Sequence, residues 1–483
     1  MVSRAAGPVW SRERFVQGRV GLDHVCFRAR TRDDVHAVHA FFVERGATIV
    51  HPPEEGPWAP GHFSVLFEDP DGIRLEVNHV PGKGVARFMS PKRWRVIVVG
   101  AGPAGSATAL HLLGRAPELG GQILLLDKAR HPRDKVCAGG LIPRGWALLE
   151  SLRVAGDVPH VRVDAARVGL PGGRRVSVHG SHLCRIVRRR ELDALLAWTA
   201  RDRGAVLMED TRVLCVSREG GGVRVETTAG THWAPAVVGA DGSGSIVRRS
   251  LVPGAGGRIA RAVMAEVPET GSWWDGRRER RYDFSFEPVA RGMRGYTWVF
   301  PCQIDGVPHL NLGAYALPPV TGQLLHRALD WALRETGTRP GARKAFPIRT
   351  WSGDNALAAP GVLLAGDAAG TDPLMGEGIS LAVEYGMAAA EVILAHPTID
   401  RRACARYTEA IRTGWIGRKL RRLDLASRLF YGAHHRFWFR VARASRRAQR
   451  IGLAWFNGVE GWDRRSPWAA LGELVWPRGV ARA

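Results

Sequence analysis

Three glycines, Gly100, Gly102 and Gly105, form a G-x-G-x-x-G pattern directly after the apolar run Val96–Val99. Each has a separate task in dinucleotide binding. The first permits a tight turn, the second lets the backbone approach a pyrophosphate, and the third lets helix and strand pack closely. A helix that begins at such a turn offers free N–H groups to phosphates. The next apolar strand, QILLLDK, ends in Asp127, which can bind ribose hydroxyls, so the unit predicts dinucleotide binding.

Three later segments favour FAD over NAD as this dinucleotide. VRRRELDALLAWTARDRGA contains Arg189 and resembles a segment of glutathione-reductase-type flavoproteins of the hydroxylase class, in which that arginine reaches the FAD. HWAPAVVGADGSGS ends a strand in an Asp-Gly pair at Asp241, and GVLLAGDAAGTDPLMGEGIS contains Gly366 and Asp367. Asp367 is expected to bind the ribityl chain. Each pair alone is a common loop turn, whereas their order and spacing together are specific.

Gly376 and Gly378 are expected to let the backbone lie against the flavin ring. The dipole of the helix that follows can stabilise negative charge on the reduced ring. The sequence contains no second strand–GxGxxG–helix unit, so NAD(P)H is expected only as a transient electron donor. The predicted cofactor-binding residues are Gly100, Gly102, Ala104, Gly105, Asp127, Lys128, Lys135, Arg189, Asp241, Gly366, Asp367, Gly376 and Gly378.

Two further stretches resemble the geranylgeranyl reductase family of FAD-dependent oxidoreductases, within the flavin monooxygenase superfamily. HPRDKVCAGGLIPRGWALLESL (131–152) looks like that family's PxxKxCGGGL-PRG segment. GYTWVFPCQIDGVPHLNLGAY (295–315) looks like its YxWxFP strand followed by an NxG strand. With the FAD motifs, the resemblance covers about residues 93–395. It implies an enzyme that reduces isolated C=C bonds of a prenyl or other apolar substrate.

Reduction of an alkene needs hydride from flavin N5 and a proton donor for the other carbon. The resemblance places the segment 135–140 near the isoalloxazine, where Cys137 is a candidate proton donor or active-site wall; a plain buried thiol is the alternative. Ala138 stands where the family usually has glycine. Tyr296 and Trp298 share one face of a strand. They form either an aromatic wall for an apolar or planar substrate or part of a packed core.

The competing interpretation is an FAD-dependent monooxygenase acting on an aromatic or polyketide substrate in specialised metabolism. Flavin halogenases show WxWxIP where this chain has YTWVFP at 296–301, and no halogenase lysine segment is evident. Halogenation is therefore less favoured than hydroxylation, which needs no diagnostic pocket residue. The Trp-rich stretch at 272–286 suits either kind of substrate. Outside the enzymes, the remaining hypothesis is a flavin-binding scaffold or sensor.

Residues 21–80 predict a strand, a helix and further strands, the last two joined at the DPDG turn of EDPDGIRLEV. This stretch resembles one βαβββ unit of the glyoxalase/bleomycin-resistance/extradiol-dioxygenase (vicinal oxygen chelate) family. The resemblance implies a divalent-metal site at His24 and Glu76, a chemically sensible N/O pair. A complete site needs two such units. The second must come from another copy, as in a homodimer, or else the unit is structural or vestigial.

The net charge of +23 at pH 7 invites a nucleic-acid interpretation, but only six of the 69 basic residues are lysine. An arginine excess beside abundant Ala and Gly is typical of a GC-rich genome, so nucleic-acid binding is not predicted. From residue 401 to the end, 19 basic residues stand against five acidic ones. This helical stretch interleaves aromatic residues with arginines. It predicts either a cap over the substrate pocket or a peripheral contact with an anionic membrane.

The length of 483 residues predicts several domains. The absence of a long apolar run, of a secretory signal and of paired cysteines fits a cytoplasmic protein. We expect an α/β fold (α+β overall). Its expected parts are a vicinal-oxygen-chelate-like half-module with linker (1–88), a discontinuous Rossmann-type FAD-binding domain of glutathione-reductase type (93–165, 185–250 and 355–395), an inserted β-sheet substrate domain (166–184 and 251–354) and a basic helical C-terminal region (396–483).

Overall fold

The computed structural model describes residues 24–29, 31–81, 91–254, 257–269, 280–339 and 341–457. The chain divides into two compact units, Met1–Ser90 and Pro91–Ala483, each with a hydrophobic core of its own. The half-module with linker expected at 1–88, the Trp-rich stretch at 272–286 and the end of the basic C-terminal region fall partly outside the described residues.

The first unit is a four-stranded sheet with one helix packed on it. Helix α1 (Arg32–Glu44) begins at a capping box formed by Thr31 and Asp34. Its Val35 packs on side chains that alternate along the third strand and face the helix, Phe63, Val65 and Phe67. The strands β1 (Val25–Arg28), β2 (Ile49–Glu55), β3 (Phe63–Glu68) and β4 (Arg74–His79) lie in the order β1-β4-β3-β2, with β1 parallel to β4. The predicted βαβββ module is confirmed.

A parallel sheet forms the base of the second unit. Its strands are β6 (Val96–Val99), β7 (Ile123–Leu126), β11 (Val206–Met208), β15 (Val237–Gly239), β21 (Ala358–Ala359) and β22 (Val362–Leu364). They lie in the order β11-β7-β6-β15-β22-β21, and β21 alone is antiparallel to its neighbour. The side chains of β6 and β7 are buried because a parallel sheet is covered on both faces. The five parallel strands follow the order 3-2-1-4-5 of a Rossmann fold, which confirms the predicted fold class.

Helices and a small antiparallel sheet complete this part of the unit. The helices are α2 (Pro103–Arg115), α3 (Pro143–Ser151), α4 (Arg189–Asp202), α5 (Ile246–Leu251) and α7 (Ile379–Ala395). Helix α2 follows the glycine motif and packs against both α4 and α7. The small sheet consists of β12 (Val213–Glu219), β13 (Gly222–Thr227), β14 (Gly230–Ala234) and β5 (Lys92–Arg93).

An eight-stranded sheet forms the other half of the second unit. In spatial order its strands are β20 (Arg343–Arg349), β16 (Ile259–Pro268), β19 (Val307–Ala316), β18 (Gly295–Ile304), β17 (Arg281–Ser285), β9 (His160–Leu170), β10 (Arg174–Val187) and β8 (Gly140–Leu141). Side chains alternate between the two faces of β18. Tyr296, Trp298 and Phe300 belong to one apolar cluster. Val299 belongs to a second cluster, which also contains side chains of helix α6 (Gly322–Thr336). The sheet takes in residues 160–187, a wider span than the 166–184 expected from the sequence.

The described part of the basic C-terminal region is helical. Its helices are α8 (Arg401–Thr413), α9 (Trp415–Phe430), α10 (His435–Ala444) and α11 (Arg446–Asn457). Phe439 of α10 and Tyr431 at the end of α9 are buried in the aromatic cluster of the large sheet. Among the described residues, no helix is both long and apolar enough to cross a membrane.

The start of α2 lies in direct backbone contact with the end of β6. A Cβ atom added at Gly105 would lie 1.8 Å from the carbonyl oxygen of Gly100, and one added at Gly100 would lie 2.4 Å from that of Ala240. Gly100 also has a φ of +103°, which side chains rarely tolerate. The fold itself therefore requires glycine at both positions.

We expect Gly105→Ala to lower the free energy of unfolding by about 1–3 kcal/mol, because the added methyl group forces α2 away from β6. Gly114→Ala is the matched control in the same helix, since nothing lies within 4 Å of its added Cβ. It should be neutral or stabilise by about 0.4–1 kcal/mol. Chemical denaturation followed by circular dichroism measures both. Equal midpoints for the two variants would contradict the close contact.

Candidate active site

Gly102 differs from the other two glycines of its motif. Its φ of −79° is open to any residue. An added Cβ would come no closer than 3.6 Å to its nearest neighbour, Nη2 of Arg133. Neither backbone conformation nor packing within the protein requires a glycine here. The absence of a side chain instead fits a ligand that approaches the backbone closely, as a pyrophosphate does.

Asp127 lies directly after β7 and is buried. Its Oδ2 accepts a hydrogen bond from the backbone N–H of Ala101 at 3.0 Å, and its Oδ1 accepts one from that of Ala129 at 2.9 Å. Each carboxylate oxygen has capacity for a second hydrogen bond. Asp127 can therefore hold the glycine turn in place and also bind a ribose hydroxyl. Lys128 is exposed and lines the same cavity.

Arg189 forms a bidentate ion pair with Asp193, with Nε–Oδ1 and Nη2–Oδ2 distances of 2.6 and 2.7 Å. Burial opposes the charge of Arg189, but Asp193 raises the pKa of the guanidinium above its usual value. Nη2 of Arg133 lies 3.3 Å from Asp193 and 3.6 Å from Asp127. Sequence reasoning missed Arg133, although the basic HPRDK segment was a signal for it. The two arginines give this end of the cavity the positive charge that a pyrophosphate requires.

The Asp-Gly and Gly-Asp turns lie against the glycine motif. Oδ2 of Asp241 accepts the N–H of Ile246 at 2.7 Å, so this carboxylate also holds the start of α5, and burial raises its pKa. Oδ2 of Asp367 accepts the hydroxyl of Ser243 at 3.2 Å, which links the two turns. Gly366 has a φ of +61°, and an added Cβ there would lie 3.0 Å from that of Ala104.

Gly376 and Gly378 precede helix α7, as the sequence predicts, and the structure adds a carboxylate between them. Gly378 is the N-cap residue, and the N–H of Ser380 in the first turn donates to Oε1 of Glu377 at 3.0 Å. The other oxygen of Glu377 forms a buried ion pair with Lys419 of α9 at 2.8 Å. One backbone N–H at the start of α7, the helix end expected to face the flavin, is therefore already hydrogen-bonded within the protein.

The segment around Cys137 is anchored by its backbone. The N–H of Cys137 points to Sδ of Met264 at 3.2 Å, and its carbonyl accepts from Nδ2 of Asn311 at 3.1 Å. A Cβ at Gly139 would lie 2.0 Å from the carbonyl oxygen of Val187. Gly139, within the segment expected near the isoalloxazine, is thus required by contact with strand β10.

The aromatic residues of β18 form both a packed face and a cavity wall. The hydroxyl of Tyr296 donates to the carbonyl of Met375, and Nε1 of Trp298 donates to Oδ1 of Asn311 at 2.8 Å. The indole of Trp298 covers Gly313 on the neighbouring strand, where an added Cβ would lie 2.0 Å from the ring. Asn311 therefore links Trp298 to the Cys137 segment. The NxG pattern was the sequence signal for this residue.

One cavity of about 600 Å³ brings these residues together. All the predicted cofactor residues line it except Gly105, which lies behind it in the helix contact. Cys137, Tyr296 and Trp298 line it too, and Phe456 of α11 reaches it from the C-terminal region. Its volume is typical of ligand sites. FAD fits this lining. Gly102 has no side chain on its open side, Arg133 and Arg189 are cationic, and Asp127 can accept further hydrogen bonds.

In the first unit, His24 and Glu76 meet as the sequence predicts, with Nε2–Oε2 at 3.0 Å. Glu76 also accepts hydrogen bonds from His62 at 3.0 Å and from Asn78 at 2.8 Å. Burial opposes ionisation of Glu76, but these bonds hold its pKa below the usual value. Within the described residues, no group of three or more His, Cys, Asp or Glu side chains could hold a metal ion. A metal at this pair stays a prediction.

We expect Gly102→Val to abolish FAD binding, because its branched side chain occupies the space through which a pyrophosphate approaches the turn. Gly156→Val is the control, since that glycine has nothing within 4 Å of an added Cβ and does not line the cavity. Flavin absorbance per purified chain measures the effect, with circular dichroism to verify folding. Stoichiometric FAD in Gly102→Val would refute the placement of the motif.

Comparison with known proteins agrees with this geometry. Residues 93–402 match the family described as FAD binding domain. Residues 4–77 match the Glyoxalase/Bleomycin resistance protein/Dioxygenase superfamily. The chain is 30% identical over 327 residues to a menaquinone reductase of Mycolicibacterium smegmatis, covering 63% of this chain and 77% of the relative.

Two further likenesses concern prenyl-lipid and pigment reductases. The chain is 31% identical over 321 residues to digeranylgeranylglycerophospholipid reductase 1 of Methanopyrus kandleri, covering 62% of this chain and 79% of the relative. Its fold matches a solved geranylgeranyl bacteriochlorophyll reductase-like protein of Thermoplasma acidophilum, with a TM-score of 0.63, 20% identity and coverage of 79% and 96% of the two chains. The chain therefore belongs to the geranylgeranyl reductase family of FAD-dependent oxidoreductases, with a glyoxalase-type module before its FAD-binding domain.

Proposed function

We propose that this enzyme reduces C=C bonds of a prenyl or other apolar substrate, with FAD as the resident cofactor. The supporting observation is the chemistry of the cavity wall. The hydroxyl of Tyr296 and the indole N–H of Trp298 both donate to protein acceptors, so this wall presents ring carbon to the cavity. Such a wall binds hydrocarbon, because the donors of these two side chains are not available to a polar substrate.

FAD, when bound and reduced, supplies hydride from N5 to such a substrate. Gly102, Arg189 and Asp367 would hold the pyrophosphate and ribityl parts of FAD. Tyr296 and Trp298 would hold the alkene against the flavin and keep water from the reacting carbons. Cys137 lines the same cavity and is proposed as active-site wall or proton donor.

The C-terminal helices close the substrate side of this cavity. The ring of Phe456 lies 5.8 Å from that of Phe284 in the large sheet, and the hydroxyl of Tyr431 donates to the carbonyl of Leu374 at 2.7 Å. Phe437, on the same helices, is half exposed beside arginines. We propose that this basic face also contacts an anionic membrane peripherally, where a lipid-linked substrate would reside.

The remaining parts of the proposal concern donor, location and assembly. NAD(P)H is proposed as a transient electron donor. The six cysteines are free thiols, which suits a cytoplasmic, membrane-peripheral enzyme. A divalent metal at His24 and Glu76 and a homodimer formed through the glyoxalase-type module remain proposals that rest on the family resemblance.

The product mass tests the reaction. We expect an anaerobic incubation of the holoenzyme with a reductant and a polyprenylated quinone or lipid to add two mass units per reduced bond. A gain of about sixteen units that requires oxygen would overturn the reductase and establish the monooxygenase. An enzyme whose bound FAD accepts electrons from no donor would instead indicate a flavin-binding scaffold.

A further inference from the structure

Lys135 forms part of the partition between two cavities. It lines the large cavity that holds the FAD-binding residues and the aromatic wall. It also lines a second, small cleft of about 20 Å³ on the other side of the Cys137 segment, which is room for about one water molecule. Lys135 therefore faces both the proposed reaction chamber and a separate polar space.

The ammonium of Lys135 is held without a carboxylate partner. Its Nζ lies 2.9 Å from the ring centroid of Phe346. Among the described residues, no carboxylate oxygen lies within 4.0 Å of this Nζ, which is the distance limit for an ion pair. Burial lowers the pKa of Lys135 to about 8, with Asp367 opposing the shift and Arg189 adding to it. An amine with such a pKa can both release and regain a proton near neutral pH.

The small cleft connects this ammonium to the surface. Among its lining residues, Lys344 donates to Oδ2 of Asp134 at 2.8 Å, and both side chains are about half exposed. Arg188 and Glu266 also line it, with Nε and Oε1 3.7 Å apart. The titratable and charged groups that line the cleft or act on the charge of Lys135 are Arg133, Asp134, Cys137, Arg188, Arg189, Arg190, Glu266, Cys302, Lys344 and Asp367.

We propose that Lys135 is the proton donor for C=C reduction and that the small cleft returns a proton to it from solvent. This inference rests on the proposed function. One alkene carbon gains hydride from the reduced flavin, and the other gains a proton as the Nζ–H bond of Lys135 breaks. The neutral amine then takes up a proton through the cleft, so charge and hydrogen balance over each turnover.

This assignment competes directly with Cys137. The thiol sulfur of Cys137 accepts the N–H of Gly139 at 3.4 Å and lies on the same partition. Cys137 lines both cavities, as Lys135 does. Replacing each residue separately distinguishes them, because only the true donor sets the pH dependence of the rate.

The test uses the holoenzyme and three lysine variants, Lys135→Met, Lys135→Arg and the control Lys92→Met. Lys92 is exposed and does not line either cavity. Reduction of a polyprenylated quinone is measured anaerobically per bound FAD from pH 6 to 10. Lysine methylation with ¹³C gives an independent readout of ionisation, since the chain has only six lysines and Lys135→Met identifies the relevant NMR signal.

We expect the native rate to be highest at low pH and to fall as the pH rises through about 8, where the ammonium loses its proton. Lys135→Met and Lys135→Arg should lose about 100-fold or more in rate, and neither should show this fall. The Lys135 NMR signal should titrate at the same pH, and Lys92→Met should behave like the native enzyme.

Other results overturn the assignment. If Lys135→Met keeps the native rate and pH profile, the role of Lys135 is refuted and the proposed function still stands. Loss of the pH profile in Cys137→Ala would assign the proton-donor role to the thiol. A Lys135 signal that titrates above pH 10 also refutes it. Absence of any C=C reduction by the native enzyme refutes the proposed function and this role with it.

Discussion

Direct backbone contact among the turns at the carboxyl ends of the parallel strands is the constraint on which the site depends. Gly105 lies against the carbonyl of Gly100, Gly100 lies against Ala240, and Gly386 of α7 would place a Cβ 2.2 Å from the carbonyl of Ala104. Because these positions lack side chains, α2 fits between the strand ends and α7. The polar residues that follow each strand then converge at one edge of the sheet.

That convergence creates an electrostatic problem, which the arginines resolve. Asp193 is fully buried, and a buried carboxylate is costly unless it is paired. Arg189 binds it in bidentate geometry and Arg133 approaches it from the other side. One carboxylate thus orients two guanidinium groups, and both arginines line the cavity. The two guanidinium groups also contribute to lowering the pKa of the nearby Lys135.

The substrate side depends on a different kind of contact. Asn311 accepts from Trp298 and donates to the carbonyl of Cys137, so one amide joins the aromatic sheet to the segment that separates the two cavities. Glu377 and Lys419 similarly join the entrance of α7 to the C-terminal helix α9. These links hold together elements that are distant in sequence, and they leave the aromatic wall without spare donors.

The sequence by itself determined the βαβββ module, the Rossmann unit, the FAD motifs and the aromatic strand. Local rules suffice for these: glycine spacing, wholly apolar strands and period-two alternation report backbone conformation and burial directly. Only the tertiary structure decided which residues share the cavity. It added Arg133, Asn311, Glu377 and Phe456, and it showed that Gly139 serves strand packing. The physical reason is that hydrogen bonds and ion pairs between distant segments leave no periodic trace, so no local pattern marks a side chain by its partner across the fold.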